Sequence, residues 1–258
     1  MASSIRTDNH GAPSAPLTSL LSRDSLIVGA ALLAAAVLAW AWLLDWRMDG
    51  MAPQPLSAAY LLPAFAMWAI MMVAMMVPSA APMILLHARI DKAETKRRRA
   101  VHSLLFALAY LLVWAAFAAA AAVAQALLVR TGAVSAMGLA IGGRAAAAGL
   151  LLIAAFYELT AAKRLCLDKC QSPLLFILRY WKPGAVGALR LGIVHGLFCL
   201  GCCWALMLLL FVGGLMNLAW VAILGILVLG EKLAPPAWRA ERYVAAALFI
   251  GAIAALVA

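Results

Sequence analysis

Seven stretches of this chain are long and apolar enough to cross a bilayer, and that limits what it can fold into more than any other feature. A spanning helix needs about 20 mostly apolar residues. The runs fall at approximately 25–44, 58–86, 101–128, 145–162, 191–211, 215–231 and 242–258. With 67% hydrophobic residues, 12% charged and a mean hydropathy of +1.03, the chain departs from a globular domain, which is about half apolar and a quarter charged. A soluble enzyme is excluded. The predicted fold is all-α: a polytopic transmembrane helical bundle of about seven spans.

Residues 1–24 are polar and rich in Ser, Pro and Thr, a composition that predicts a disordered cytoplasmic tail. Residues 25–258 then form a single transmembrane helical domain. The first span is not read as a cleaved signal peptide. Its apolar run is long, and Trp40, Trp42 and Trp46 at its far end are interfacial anchors.

The net charge of +10 does not point to nucleic acid, because the basic residues sit between the apolar blocks. Placing the N-terminus inside puts 17 of the 20 Lys and Arg residues in the tail and in loops near 88–100, 163–190 and 232–241. Only Arg47, Arg130 and Arg144 remain outside. That bias predicts an N-in, C-out topology in a bacterial inner membrane. The connection 163–190 is too short for a further domain, and Pro173 to Trp181 within it predict a short interfacial helix. No P-loop, no Rossmann glycine pattern and no helix–turn–helix signature is present.

The chemistry-bearing residues cluster. Six of the 12 Met lie between positions 67 and 83. At helical spacing Met67, Met71 and Met75 form one ridge, and Met72, Met76, Met83 and His87 a second. Pro78 predicts a kink or break in this second span. Two readings stand for the stripe: flexible packing, or thioether ligation of a soft metal such as Cu(I).

The fifth span reads His195-Gly-Leu-Phe-Cys199-Leu-Gly-Cys202-Cys203-Trp-Ala-Leu-Met207. His195, Cys199 and Cys202 stand at i, i+4 and i+7, so their side chains share one face, with Cys203 one turn beyond Cys199. Thiolate and imidazole at that spacing suit zinc or copper(I). Thiol–disulfide chemistry and plain packing are the alternatives. Gly192, Gly196 and Gly201 would let a partner helix approach this face. A third cluster holds Glu158, Cys166 and Cys170. Glu158 is either a functional intramembrane acid or a carboxylate reaching for Lys163 or Arg164. Cys166 and Cys170 would be a cytoplasmic thiol relay or free reduced thiols.

The segments Met71–Pro78 with Pro82, Tyr157–Cys170, His195–Met207, Gly213–Trp220 and Glu231-Lys232 resemble a family of bacterial integral membrane proteins of unknown function, catalogued as predicted metal-binding. The resemblance spans about 58–233 and implies an integral membrane fold that binds metal. It implies no reaction.

Together these features predict a membrane protein that binds copper or zinc. Cys199, Cys202, Cys203 and His195 are the first ligand candidates, Met72, Met76, Met83 and His87 the second, with Cys166 and Cys170 as relay. The expected partners are the lipid bilayer and a metal-delivery or thioredoxin-like protein. Gln125 and Asn217 are the few polar groups expected in the outer half, so binding and delivery are favoured over transport. A membrane thiol–disulfide carrier, or an assembly subunit without chemistry, is the alternative.

Overall fold

The structure, a computed structural model, describes residues 23–45, 54–91, 93, 95–135 and 139–257. All but the last two residues of the expected tail, and the anchor Trp46, lie outside the described residues. The chain is all-α. Among the described residues ten α-helices follow in order: α1 (Arg23–Asp45), α2 (Ala58–Ile90), α3 (Lys96–Arg130), α4 (Arg144–Glu158), α5 (Ala161–Gln171), α6 (Pro173–Tyr180), α7 (Gly184–Leu208), α8 (Leu210–Gly213), α9 (Leu218–Leu233) and α10 (Ala240–Val257). The only β pairing among the described residues is a bridge between Val134 and Ile141.

Among the described residues, five helical segments are long and apolar enough to cross a membrane: Leu26–Asp45, Ala58–Ile90, Arg97–Arg130, Gly184–Gly213 and Ala240–Val257. The expected span 145–162 is instead a bent pair, α4 and α5 meeting at 66°. The local cause is Thr160, whose side chain accepts the Lys163 N–H at 3.1 Å and so caps a new helix. The expected span 215–231 is α9, whose 16 residues fall short of the usual length. The expected connection 163–190 is helical through most of its length, and α7 begins seven residues earlier than the apolar run suggests.

Pro78 and Pro82 lie inside α2 without ending it, so of the expected kink or break the break does not occur. Ser79 between them turns its hydroxyl to the Met76 carbonyl at 2.9 Å. That bond gives a main-chain acceptor in the proline-interrupted ladder a side-chain partner.

Helices α2, α3 and α7 form the centre of the bundle. α1 packs on α2, α5 and α9 close its sides, and α4 pairs with α10. The contact between α3 and α7 is made possible by glycine. A Cβ at Gly192 would collide with the Phe106 carbonyl and lie 2.8 Å from Ala109 Cβ; one at Gly196 would lie 2.9 Å from Val113 Cβ. Gly201 faces α5 instead, with Cys166 Sγ occupying the space a Cβ would need. Gly192→Ala should therefore cost about 1–3 kcal/mol. Gly149→Ala, where a Cβ meets nothing within 4 Å, should cost little. Thermal unfolding in detergent compares them, and equal melting temperatures would refute the close-packing account.

Outward faces are apolar: Leu38, Leu62, Leu112, Ile226 and Ile250 project exposed from five different helices. Such a surface is compatible with a lipid surround. Gln125 is buried and fully engaged, accepting from Trp68 Nε1 at 2.7 Å and donating to Tyr60 Oη at 2.9 Å. Asn217 caps α9 by accepting from Trp220 N at 3.2 Å. Both polar groups anticipated in the outer half are thus committed to structural partners.

Candidate metal centre

The centre is built where α7 meets α3, α5 and α9. The i, i+3, i+4 spacing puts the Cys199, Cys202 and Cys203 thiols on the buried side of α7. Cys202 Sγ and Cys203 Sγ both donate to the Cys199 carbonyl, at 3.0 and 2.9 Å. The two thiols are thereby parked on one acceptor of their own helix. Cys170, from the last turn of α5, approaches across the interface, its Sγ 4.0 Å from Cys202 Sγ. All five cysteines are free thiols.

Cys199 has the most polar surroundings. Lys232, from the last turn of α9, donates to Cys199 Sγ at 2.8 Å and to Ser79 Oγ at 2.8 Å. The Tyr110 hydroxyl of α3 lies 3.0 Å from Cys199 Sγ and donates to the Met76 carbonyl at 3.2 Å. Two helices besides α7, α9 and α3, thus converge on one sulfur, and both contacting side chains are tied in turn to α2. The second and fifth apolar runs are joined here through Lys232 and Tyr110. Lysine buried beside a thiol holds positive charge where negative charge on sulfur would otherwise be costly.

A second buried polar group lies at the α4–α5 bend. Lys163 Nζ is 2.6 Å from Glu158 Oε1 and 2.7 Å from Glu231 Oε2, with all three side chains buried. Glu158 thus pairs with Lys163 and not with Arg164, which lies 3.7 Å from Glu241. The Tyr157 hydroxyl donates to the Gly201 carbonyl, tying α4 to α7. Glu231 and Lys232 are neighbours in α9, so one turn of that helix serves both the ion triad and the thiol group.

The remaining candidates are dispersed around this centre. Met72, Met76 and Met83 are buried in the core, and Met76 is placed at the centre through its carbonyl. Cys166 is only half-buried, beside Gly201. His195 is buried among rings, stacked on Tyr110 at 5.4 Å and on Phe106 at 6.0 Å, with Phe176 edge-on at 5.4 Å. His87 packs on Phe106 at 5.2 Å and Trp181 at 5.3 Å. Among the described residues no three His, Cys, Asp or Glu side chains group as a ready metal-holding set.

Lys232, Tyr110 and Ser79 were not anticipated as site residues. The signal for Lys232 was its place directly after an apolar run and beside an acid. Both Lys232 and Lys163 had been counted as loop charges, and burial removes them from that tally.

The fold and the site define a class: an all-α bundle of long apolar helices enclosing a cluster of free thiols against a buried lysine. Within it, this chain belongs to the PpoB2 copper chaperone family, whose family model matches residues 65–255. The match covers α2 through α10 almost completely, including both buried polar groups, and suggests metal handling. No match is found among curated proteins or solved structures.

Proposed function

We propose that this protein is a multi-pass membrane copper chaperone. In this reading it holds Cu(I) as cargo on the thiols of α7 and α5 and hands it to a partner protein. The observation that carries the reading is the Cys170–Cys202 sulfur pair, 4.0 Å apart across two helices. With metal–sulfur bonds of about 2.3 Å, that separation subtends about 120° at one ion. Cys199 and Cys203 are the further thiolate donors, and Lys232 offsets the negative charge that thiolates keep after binding a monovalent ion. Thiolate and thioether donors favour soft Cu(I). Zinc prefers a closed set of four ligands, whereas the pair brought close across two helices here is two sulfurs.

The basic residues at 89–99 and 164–190 support an N-in orientation in a bacterial inner membrane. Cys166, half-buried on the same side, serves as the outer thiol of the relay. The structural commitments of Gln125 and Asn217 favour binding and delivery over passage through the bundle.

The test is metal content per chain. The protein is expressed with copper and zinc supplied, purified anaerobically in detergent and measured by elemental mass spectrometry. The parent should carry about one equivalent of copper, and Cys199→Ser/Cys202→Ser/Cys203→Ser close to none, since thiolates supply the affinity. A monodisperse variant in detergent controls for folding. Equal, near-zero copper in both would sink the reading. A second reading, a thiol–disulfide carrier, is favoured by that same Cys170–Cys202 proximity. Redox-dependent maleimide labelling of that pair without copper would put it first.

A further inference from the structure

His87 and His195 are not needed by the thiol centre, yet both carry an unusual feature. Each is buried, and each leaves its Nδ1 inside the protein without any hydrogen-bond partner. A buried polar atom left unpaired is costly, and two in one small region call for a physical reason. Their positions supply one. An open cavity of about 1240 Å³ lies between the α2–α3 connection and the α6–α7 turn, and Trp181 and Ile177 form part of its wall. The His87 ring lies 5.3 Å from Trp181 and 5.2 Å from Phe106. The His195 ring lies 6.0 Å from the same Phe106 and 5.4 Å from Tyr110. The Tyr110 hydroxyl is 3.0 Å from Cys199 Sγ. A file of rings thus leads from the cavity to the thiol centre, and its two imidazoles are the only members able to hold a soft metal.

We infer that His87 and His195 are successive transient ligands for Cu(I) moving between the cavity and Cys199. Copper as the cargo is carried over from the function proposed above. The cavity wall holds Arg97, Arg98 and His102, with Asp91 as its only acid among the described lining residues; Asp91 Oδ2 lies 2.7 Å from His102 Nδ1. A bare cation is repelled there, whereas an anionic Cu(I)–thiolate complex of a small carboxylate-bearing thiol is attracted.

Each step is a ligand exchange in which copper stays Cu(I). A carrier Cu–S bond breaks as a bond to His87 nitrogen forms. The His87–copper bond breaks as one to His195 nitrogen forms, and the His195–copper bond breaks as the bond to Cys199 Sγ forms. The proton leaving the Cys199 thiol ends on the released carrier thiolate, so charge and atoms balance.

The experiment uses the full chain in detergent under anaerobic conditions. The probe is the Cu(I)–glutathione complex, and loading is followed by removing it on a fast desalting column at set times and measuring the copper that stays with the protein by elemental mass spectrometry. At each histidine two replacements of similar size are compared: His87→Leu with His87→Met, and His195→Leu with His195→Met. Leucine removes the donor, and methionine keeps a soft one. The Leu variants should load about tenfold more slowly or worse, a barrier rise of about 1.4 kcal/mol, and reach the parent's final copper content. The Met variants should load at close to the parent's rate.

Equal rates for Leu and Met at both positions would overturn the relay. So would a lower final copper content in the Leu variants, since that makes the histidine part of the resting centre. A parent that takes up no copper at equilibrium defeats the copper reading itself, an outcome distinct from a rate that ignores the histidines.

Discussion

Lys163→Met is expected to destabilise the protein by about 3–5 kcal/mol, the usual cost of removing one partner from a buried ion pair. The wild-type ammonium lies within 2.7 Å of two carboxylates, and all three side chains are buried. Methionine fills the volume but leaves Glu158 and Glu231 facing each other without a counter-charge. The triple variant Lys163→Met/Glu158→Gln/Glu231→Gln should recover most of the loss, because a neutral set of similar shape carries no stranded charge. Thermal unfolding of the three proteins in one detergent is the measurement. A single variant as stable as the parent, or a triple variant less stable than the single, would show that the triad contributes something other than charge balance.

Lys232→Met is expected to leave the number of bound copper ions unchanged and to weaken their binding. Removing one member of a desolvated, hydrogen-bonded charge pair costs about 2–5 kcal/mol, so a loss of about 300-fold in Cu(I) affinity is the middle of the range. The basis is the 2.8 Å contact from Lys232 Nζ to Cys199 Sγ. Two thiolates on a monovalent ion leave one negative charge, and the ammonium lies against it. Competition with a strong Cu(I) chelator under anaerobic conditions gives the affinity. Unchanged affinity would remove Lys232 from the centre and leave it as a tether between α9 and Ser79.

What could be read in the sequence was what depends on one helix at a time. The 3.6-residue period placed the methionines of α2 on buried ridges and the cysteines of α7 on one face. The glycines at 192 and 196 marked the face where another helix comes close. What escaped was set by neighbours distant along the chain. Lys163 and Lys232 sit at the ends of apolar runs, where lysine ordinarily reaches for water. Their partners, Glu231 and Cys199, lie 68 and 33 residues away. His195 shares a helix face with Cys199, but Phe106 and Phe176 from other helices occupy its surroundings, and no spacing within α7 could have revealed them. The bend at Thr160 had a local signal, a threonine just ahead of a helical stretch. It was masked by hydropathy that runs on across the break.

The 68 residues between Lys163 and Glu231 also set an order of events during biosynthesis. At about 5–20 residues per second, the ribosome makes Lys163 several seconds before its second carboxylate exists. Through that interval Glu158, across the bend, is the one triad partner already made. Completion of α9 delivers Glu231 to the waiting ammonium and, one residue later, Lys232 to Cys199. The same helical turn therefore locks the late-made segment onto the early bundle and finishes the thiol centre. A nascent chain cannot own a complete centre before α9 is made.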